Sequence, residues 1–454
     1  MERDLTLDEL ARRTGEDART LADWRSRGLI GLEHDQLHGH EDIERVRVIR
    51  LLVSRGIPID DVVRSFHEGS LGMRMAAYLD MLFPGEGRPA YSLEEAAERL
   101  GMEPASLGRI WENMFAGTQD QFFTEDDLQG LALANAAMQA GLPEEALNQL
   151  MRTWTETLGR AADAASRMVH FYVHEQGERN THTGLTEFNE LSPLLEPSIL
   201  YFLRKGLLRA VPGDFVLHVE EECGRRPRSD VPGQLQSAIA FVDLAGFTGL
   251  TEAMGDVRAA AVLKRYGELV WDAVGHHGGQ VTKQLGDGFM VLFHHPRNAV
   301  RCMLEIERRV AAENQFPACR AGIHWGSVLY REGDYVGTAV NLSARIASVA
   351  LRHQVLLSDE ARREIGDLPG VSFRRMAGKG VEVKGIASGL TLFAAQLADA
   401  ADCDKAVDPV CGMELGEGEI AARVTLDGLE RAFCSQNCLR RFVADPDAYA
   451  PGRR

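Results

Sequence analysis

The chain has 454 residues and a mass of 50.0 kDa. At about 100–200 residues per domain it should hold three or four domains rather than one core. A hydrophobic content of 45% with 26% charged residues excludes wholesale disorder, and 50 basic against 67 acidic groups, net −17, excludes a surface built throughout to grip nucleic acid or anionic lipid.

The start, Met1-Glu2-Arg3-Asp4-Leu5, lacks a basic segment ahead of an apolar core. No apolar run approaches the ~18 residues of a membrane helix. A cytoplasmic protein without a membrane partner is expected. The first half repeats itself. TLDELARRTG (6–15) and SLEEAAERLG (92–101) each set a hydroxyl residue three positions ahead of a glutamate, a capping box, then apolar residues at helical spacing. HEDIERVRVIRLLVSRGIPIDDVVRSF (40–66) parallels TEDDLQGLALANAAMQAGLPEEALNQL (124–150). In both, glycine (Gly56, Gly141) then proline (Pro58, Pro143) separates two helices. Two copies of one small helical module are expected.

The first copy, LDELARRTG then ARTLADW then RGLI, resembles the MerR helix-turn-helix module, which would occupy 1–70. DNA is the partner this implies, but the charge speaks against it: residues 1–70 hold 11 arginines, no lysine and 15 acids. A protein-contact module that kept the shape and lost the charge is the favoured reading. The second copy and the helices after it (91–223) resemble the regulatory domain in front of some bacterial adenylate cyclases. His170 and His174, four apart with His182 nearby, fit either a proton sensor or ordinary surface histidines. Phe171, Tyr172, Phe188, Tyr201 and Phe202 fit core packing better than a lipid-like ligand. GRRPRSDVPG marks a linker over 224–234.

From 235 the period changes. QSAIAFVD reads as a buried strand, TEAMGDVRAAAVLKRYGELVWDAVGHH as a long helix, QVTKQL-GDG-FMVLF as a hairpin, then a helix near 296–313 and a strand at CRAGIHWG. This β-α-β-β-α-β order predicts a ferredoxin-like α/β sheet with helices on one face. Asp243 ends the first strand and Asp287 sits in the hairpin turn, two places the topology can make neighbours. Two carboxylates there suit Mg²⁺ or Mn²⁺. Gly246, Phe247 and Thr248 open a helix whose free N–H groups favour phosphate. Asn341 and Arg345, four apart on a predicted helix, share a face.

FVDLAGFT, KQLGDG, GDYVGTAVNLSAR and EVKG, in that order, resemble the class III nucleotidyl cyclase catalytic domain over 235–397. The resemblance implies conversion of ATP to 3′,5′-cyclic AMP and pyrophosphate. It implies two ions per site on Asp243 and Asp287, Lys283 and Asp334 on the purine, Asn341 and Arg345 at the transition state, and Lys384 on the triphosphate. It also implies a head-to-tail homodimer. An ammonium donating to adenine N1 and a carboxylate accepting from the exocyclic amine match ATP and mismatch GTP. The different-class alternative is a MerR-like DNA-binding transcription regulator whose cyclase-like domain only senses nucleotide.

After 398 the chain is Ala/Asp-rich. DPVCGM and FCSQNC then resemble a YHS-type domain, a small α+β module over 406–450 of a kind found in metal-handling proteins. Cys434 and Cys438, i and i+4, would present both sulfurs on one helical face. With Cys411 they make three soft ligands for Zn²⁺ or Cu⁺, the fourth being water, Asp408, Met413 or Cys403.

Overall fold

The computed structural model describes residues 5–31, 38–69, 71–82, 91–114, 123–169, 183–224, 229–376, 390–398 and 405–449. They form two compact units, 1–227 and 228–454.

The first unit is helical: α1 (Leu7–Thr14), α2 (Ala18–Ser26), α3 (His40–Ser54), α4 (Ile59–His67), α5 (Leu71–Leu82), α6 (Leu93–Leu100), α7 (Pro104–Met114), α8 (Glu125–Gln139), α9 (Glu144–Val169) and α10 (Thr183–Glu222). The repeat is visible in detail. Thr6 with Glu9 caps α1 and Ser92 with Glu95 caps α6, both as capping boxes, and left-handed Gly15 and Gly101 end the same two helices. One isolated bridge, Leu5 to His38, is matched by another, Tyr91 to Phe123. Each copy closes its own core, around Leu10, Trp24 and Ile49 in the first and around Leu107, Ile110 and Phe123 in the second. In the first copy Asp23 holds Arg27, the residue that ends α2, at 2.8 Å, and Arg27 reaches Asp60 at 2.7 Å, so this arginine is engaged within the module. Tyr201 and Phe202, expected to pack in a core, stand exposed on α10 beside Leu207, Leu208 and Phe215. His170, His174, His182, Phe171 and Tyr172 lie outside the described residues, as does the side chain of Phe188. Among the described residues no helix is long and apolar enough to cross a membrane.

The second unit runs β1 (Gln234–Leu244), α11 (Phe247–Met254), α12 (Asp256–His276), β2 (Gln280–Leu285), β3 (Gly288–Phe293), α13 (Pro296–Ala312), β4 (Phe316–Pro317), β5 (Cys319–Arg331), β6 (Asp334–Val336), α14 (Thr338–Val349), β7 (Val355–Ser358), α15 (Asp359–Ile365), β8 (Val371–Arg375) and β9 (Leu392–Leu397). The main sheet has the order β2-β3-β1-β5-β7-β9-β8, with β6 hairpinned onto β5. Its β2-β3-β1-β5 part is the ferredoxin-like order expected from the sequence.

The expectation of helices on one face needs correcting. Alternate residues of β1 split between two cores. Ala238, Ala240 and Val242 meet α12 and α13, while Ile239 and Phe241 share a cluster with Ala339 and Val340 of α14 on the other side. A strand buried on both faces reads as a continuous apolar run, so its pattern does not report which face the next helix takes.

A small module completes the unit: β10 (Ala406–Val407), β11 (Met413–Leu415), β12 (Ala422–Leu426), β13 (Leu429–Phe433) and α16 (Gln436–Ala444).

Candidate active site and cysteine cluster

Asp243 lies one residue from the end of β1, opposite Gly288 on one side and Arg320 on the other. Gly286 takes φ 64°, the left-handed conformation that lets β2 turn into β3 through Gly286 and Asp287. Gly288 lies against the first carboxylate: a Cβ there would stand 3.4 Å from Asp243 Oδ1, in ordinary contact. The two aspartates are thus neighbours. Burial, and then the charge of Asp243, push the Asp287 carboxyl up to about 6, against the pull of its backbone N–H bond and of Arg320.

Arg320 is the residue that sequence reasoning missed. Its Nη2 donates to Asp243 Oδ2 at 3.0 Å and its Nη1 to the Ser348 carbonyl at 3.3 Å, tying the end of α14 to the carboxylate. The available signal was a lone cation in the strand CRAGIHWG, otherwise small or apolar around it. Two crowded carboxylates, one retaining its proton to about pH 6, form a hard-oxygen donor set whose repulsion a divalent cation would relieve. The residues fit Mg²⁺ or Mn²⁺.

Gly246, at φ 84°, caps α11 without any side-chain cap, leaving the N–H groups of Phe247 and Thr248 at an uncapped helix start. Arg352 Nη2 donates to the Ala245 carbonyl at 3.3 Å from behind this turn. Lys283 Nζ donates to Asp334 Oδ2 at 2.6 Å, and the Tyr335 N–H to Asp334 Oδ1 at 2.8 Å.

Asn341 and Arg345 sit one turn apart on α14. That helix is pinned to the sheet by Ser343 Oγ, which donates to the carbonyls of Ile239 (2.7 Å) and Gly322 (3.0 Å). Only glycine fits at 322, where a Cβ would fall 2.1 Å from the Ala347 nitrogen. Among the described residues neither the Asn341 nor the Arg345 side chain makes a hydrogen bond or ion pair. Lys384 lies outside the described residues.

At the C-terminal end, Cys411 Sγ and Cys434 Sγ are 3.6 Å apart, and Cys434 Sγ and Cys438 Sγ 3.7 Å. Asp408 joins them, all four ligand atoms lying within 4.8 Å of one another. Asp408 also organises the cluster: Oδ1 accepts from the Val410 (2.9 Å) and Cys411 (3.4 Å) N–H groups, Oδ2 from that of Cys434 (2.8 Å). The sulfurs meet, but not on one helical face. Cys434 precedes α16; Ser435 caps that helix, its Oγ accepting from the Cys438 N–H at 3.2 Å. Hydrogen bonds from the Cys411 and Cys434 thiols, in that order, pull the Cys438 thiol well down. The same bonds and burial push Cys411 up. Zn²⁺ or Cu⁺ suits such a soft donor set.

Comparison with known proteins agrees with this layout. Residues 233–395 match the family model of the adenylate and guanylate cyclase catalytic domain. Residues 5–68 match the MerR helix-turn-helix regulatory family and 406–453 the YHS domain. The chain is 26% identical over 348 residues to an uncharacterized protein of Mycobacterium tuberculosis, covering 75% of this chain and 88% of that one. It is 26% identical over 340 residues to a pH-sensitive adenylate cyclase of the same species, covering 73% and 83%. With an adenylate cyclase of Streptomyces coelicolor it shares 27% over 300 residues, covering 64% and 75%. Among solved structures, an adenylyl cyclase from P. aeruginosa is similar at 20% identity and TM-score 0.32, over 37% of this chain and 97% of that one.

Proposed function

We propose that the protein is an adenylate cyclase that converts ATP to 3′,5′-cyclic AMP and pyrophosphate, working as a homodimer. The observation that carries the reading is the coexistence, in the segment similar to cyclase catalytic domains, of a two-carboxylate site at Asp243 and Asp287 with a Lys283–Asp334 pair matched to adenine.

Asp243 and Asp287 would hold two Mg²⁺ or Mn²⁺ ions, which when bound supply activation of the ribose 3′-oxygen and charge neutralisation on the phosphates. The amides of Gly246, Phe247 and Thr248 receive phosphate oxygens at the start of α11. Lys283 and Asp334 already bond each other, yet an ammonium keeps two further donors and a carboxylate further lone pairs, enough for adenine N1 and the exocyclic amine. Guanine offers the reverse pattern and would leave those further donors and lone pairs without a base partner. The ribose 3′-hydroxyl gives its proton to solvent as its oxygen attacks the α-phosphorus in line; a new O–P bond forms as the bond to the pyrophosphate oxygen breaks. Arg345 meets the charge developing on the α-phosphate, Asn341 orients the ribose, and Lys384 contacts the triphosphate.

Asn341 and Arg345 reach the reacting atoms from a second copy. In support, neither side chain makes a hydrogen bond or ion pair among the described residues, and Arg320 is a cation whose field reaches Asp287. Leu285, Tyr330 and Val336, all exposed, surround the purine pair and offer an apolar contact face.

The test is the purified protein with ATP or GTP and Mg²⁺ or Mn²⁺. Cyclic AMP should form from ATP, with cyclic GMP far behind, and Asp243→Asn should abolish both. If no cyclic nucleotide forms with either metal across a full range of pH and effectors, the enzyme reading fails.

A further inference from the structure

The C-terminal cysteine module is built into the catalytic domain rather than tethered to it. Strand β11 pairs with β4, Met413 opposite Pro317 and Glu414 opposite Phe316, so β10-β11-β4 is one sheet made from both domains. Leu250, Ala253 and Ala259, from α11 and α12, share one buried cluster with Val410, Cys411, Met413, Phe433, Cys438 and Phe442. Asn437 Nδ2 donates to the Ala253 carbonyl at 3.4 Å and Arg441 Nη1 to the Glu252 carbonyl at 2.9 Å, at the far end of α11. The helix that presents its N-terminus to the proposed phosphates is therefore packed along its length against the cysteine module.

One side chain joins the two sites directly. Arg352, in the loop after α14, donates through Nη1 to the Gly412 carbonyl at 3.0 Å and through Nη2 to the Ala245 carbonyl at 3.3 Å. Gly412 follows Cys411; Ala245 lies two residues past Asp243. The loops are so close that a Cβ on Gly412 would stand 2.9 Å from Arg352 Nη2 and 3.7 Å from the Ala245 oxygen.

The cluster has the dimensions of a thiolate metal site. With metal–sulfur bonds of about 2.3 Å, the edge of a tetrahedron is about 3.8 Å. The observed sulfur separations are 3.6 and 3.7 Å, far from the ~2.05 Å of a disulfide. With Asp408 as the fourth donor, the set is three sulfurs and one oxygen.

We infer that a zinc-class ion bound by Cys411, Cys434, Cys438 and Asp408 regulates the cyclase by fixing the Asp408–Gly412 turn, which through Arg352 sets the position of the Ala245–Thr248 phosphate loop. The regulatory half of this rests on the cyclase reading; the mechanical half does not. Metal binding displaces the thiol protons to solvent and draws Cys411 into fixed geometry. The Gly412 carbonyl follows, and the planar guanidinium transmits its position because it grips both carbonyls at once. Arg352 is a positioning residue, acting through the Ala245 carbonyl rather than on the substrate.

The experiment uses the full chain, stripped with chelator under reducing conditions and then loaded with one equivalent of Zn²⁺. Zinc stoichiometry, cyclase kinetics and amide exchange at 245–250 are measured for wild type, Cys434→Ser/Cys438→Ser, Arg352→Gln and Arg352→Lys, with thermal melts to confirm folding. Wild type should bind one zinc, slow its exchange at 245–250, and change kcat/KM for ATP about fivefold or more. The double cysteine variant should lose binding and both responses. Arg352→Gln should bind one zinc yet lose both responses, and Arg352→Lys, which keeps the charge but lacks the rigid planar fork, should recover part of them.

Failure to bind zinc overturns the site. Binding with neither response in wild type overturns the coupling, and full responses in Arg352→Gln overturn the path. A zinc-dependent exchange response in a protein that makes no cyclic nucleotide leaves the coupling standing and overturns the cyclase reading and the regulation built on it.

Discussion

Lys283 Nζ and Asp334 Oδ2 stand 2.6 Å apart although 51 residues separate them in the chain. Strand β2 supplies one and the first residue of β6 the other. The pair meets a purine as an ammonium donor beside a carboxylate acceptor.

The pair should therefore set base choice as a unit. Lys283→Glu/Asp334→Lys keeps an ion pair but reverses donor and acceptor. The ratio of kcat/KM for ATP over GTP should fall by about 100-fold or more, while Lys283→Ala alone should lose ATP turnover without gaining GTP turnover. Steady-state kinetics with both nucleotides decide it; an unchanged ratio in the double variant would remove the pair from base recognition.

Asp287 yields a prediction in which stability and activity part ways. Its folded pKa of about 6 lies above the unfolded value of 3.8. Its favourable contribution is therefore complete below pH 3.8 and lost as pH rises through 6, so the ionised group strains the metal-free protein at pH 7. Asp287→Asn should stabilise metal-free protein at pH 7 by about 1 kcal/mol after allowance for partial exposure, seen as a higher melting temperature, and should abolish cyclase activity. Differential scanning calorimetry with and without chelator, at pH 5 and pH 7, gives the stability half. An equal or lower melting temperature at pH 7 would contradict it.

Much of this was legible in the chain. The Asp243–Asp287 neighbourhood follows from a strand end and a Gly-Asp-Gly turn once the β-α-β-β order is read, and the duplicated capping boxes announce the repeat in the first unit. Arg320 was not legible, because its partnership with Asp243 depends on β1–β5 register, a long-range quantity with no local signature. Strand β4 was invisible for a related reason: two residues, Phe316 and Pro317, carry no periodicity and become a strand only when Met413 and Glu414 arrive to pair with them. The cysteine pair was misplaced although the signal was present, since a serine directly after Cys434 is a helix cap and puts that cysteine outside the helix.

The dimer makes a complementation prediction. If the carboxylates of one copy work with Asn341 and Arg345 of another, Asp243→Asn and Arg345→Ala should each be inactive alone. Mixed and allowed to exchange subunits, they should recover about a quarter of wild-type activity: half the dimers are heterodimers, and each has one intact site of two. No recovery after demonstrated subunit exchange would mean that Arg345 serves its own chain.

His353 gives the pH dependence of the contact between catalytic domain and cysteine module. Its Nδ1 lies 2.9 Å from Glu307 and its Nε2 2.5 Å from Glu414, a buried acid on β11. Hydrogen bonds to Glu307 first and Glu414 second push the imidazole up to about 9 from an ordinary 6.5, outweighing its partial burial. The sign follows from the raised folded value: the stabilisation is complete below pH 6.5 and lost as pH rises through 9. Above that window the neutral imidazole no longer offers the buried Glu414 oxygen a charged donor. His353 also holds a left-handed backbone at φ 57°, a cost the double ion pair must offset. The melting temperature should therefore fall, and amide exchange at 413–415 quicken, between pH 6.5 and 9.5. His353→Gln should be less stable than wild type at pH 6.5 but nearly equal to it at pH 9.5. A wild-type protein whose β11 exchange keeps the same protection across that range, after correction for the intrinsic pH dependence of exchange, would show that the imidazolium does not hold the two domains together.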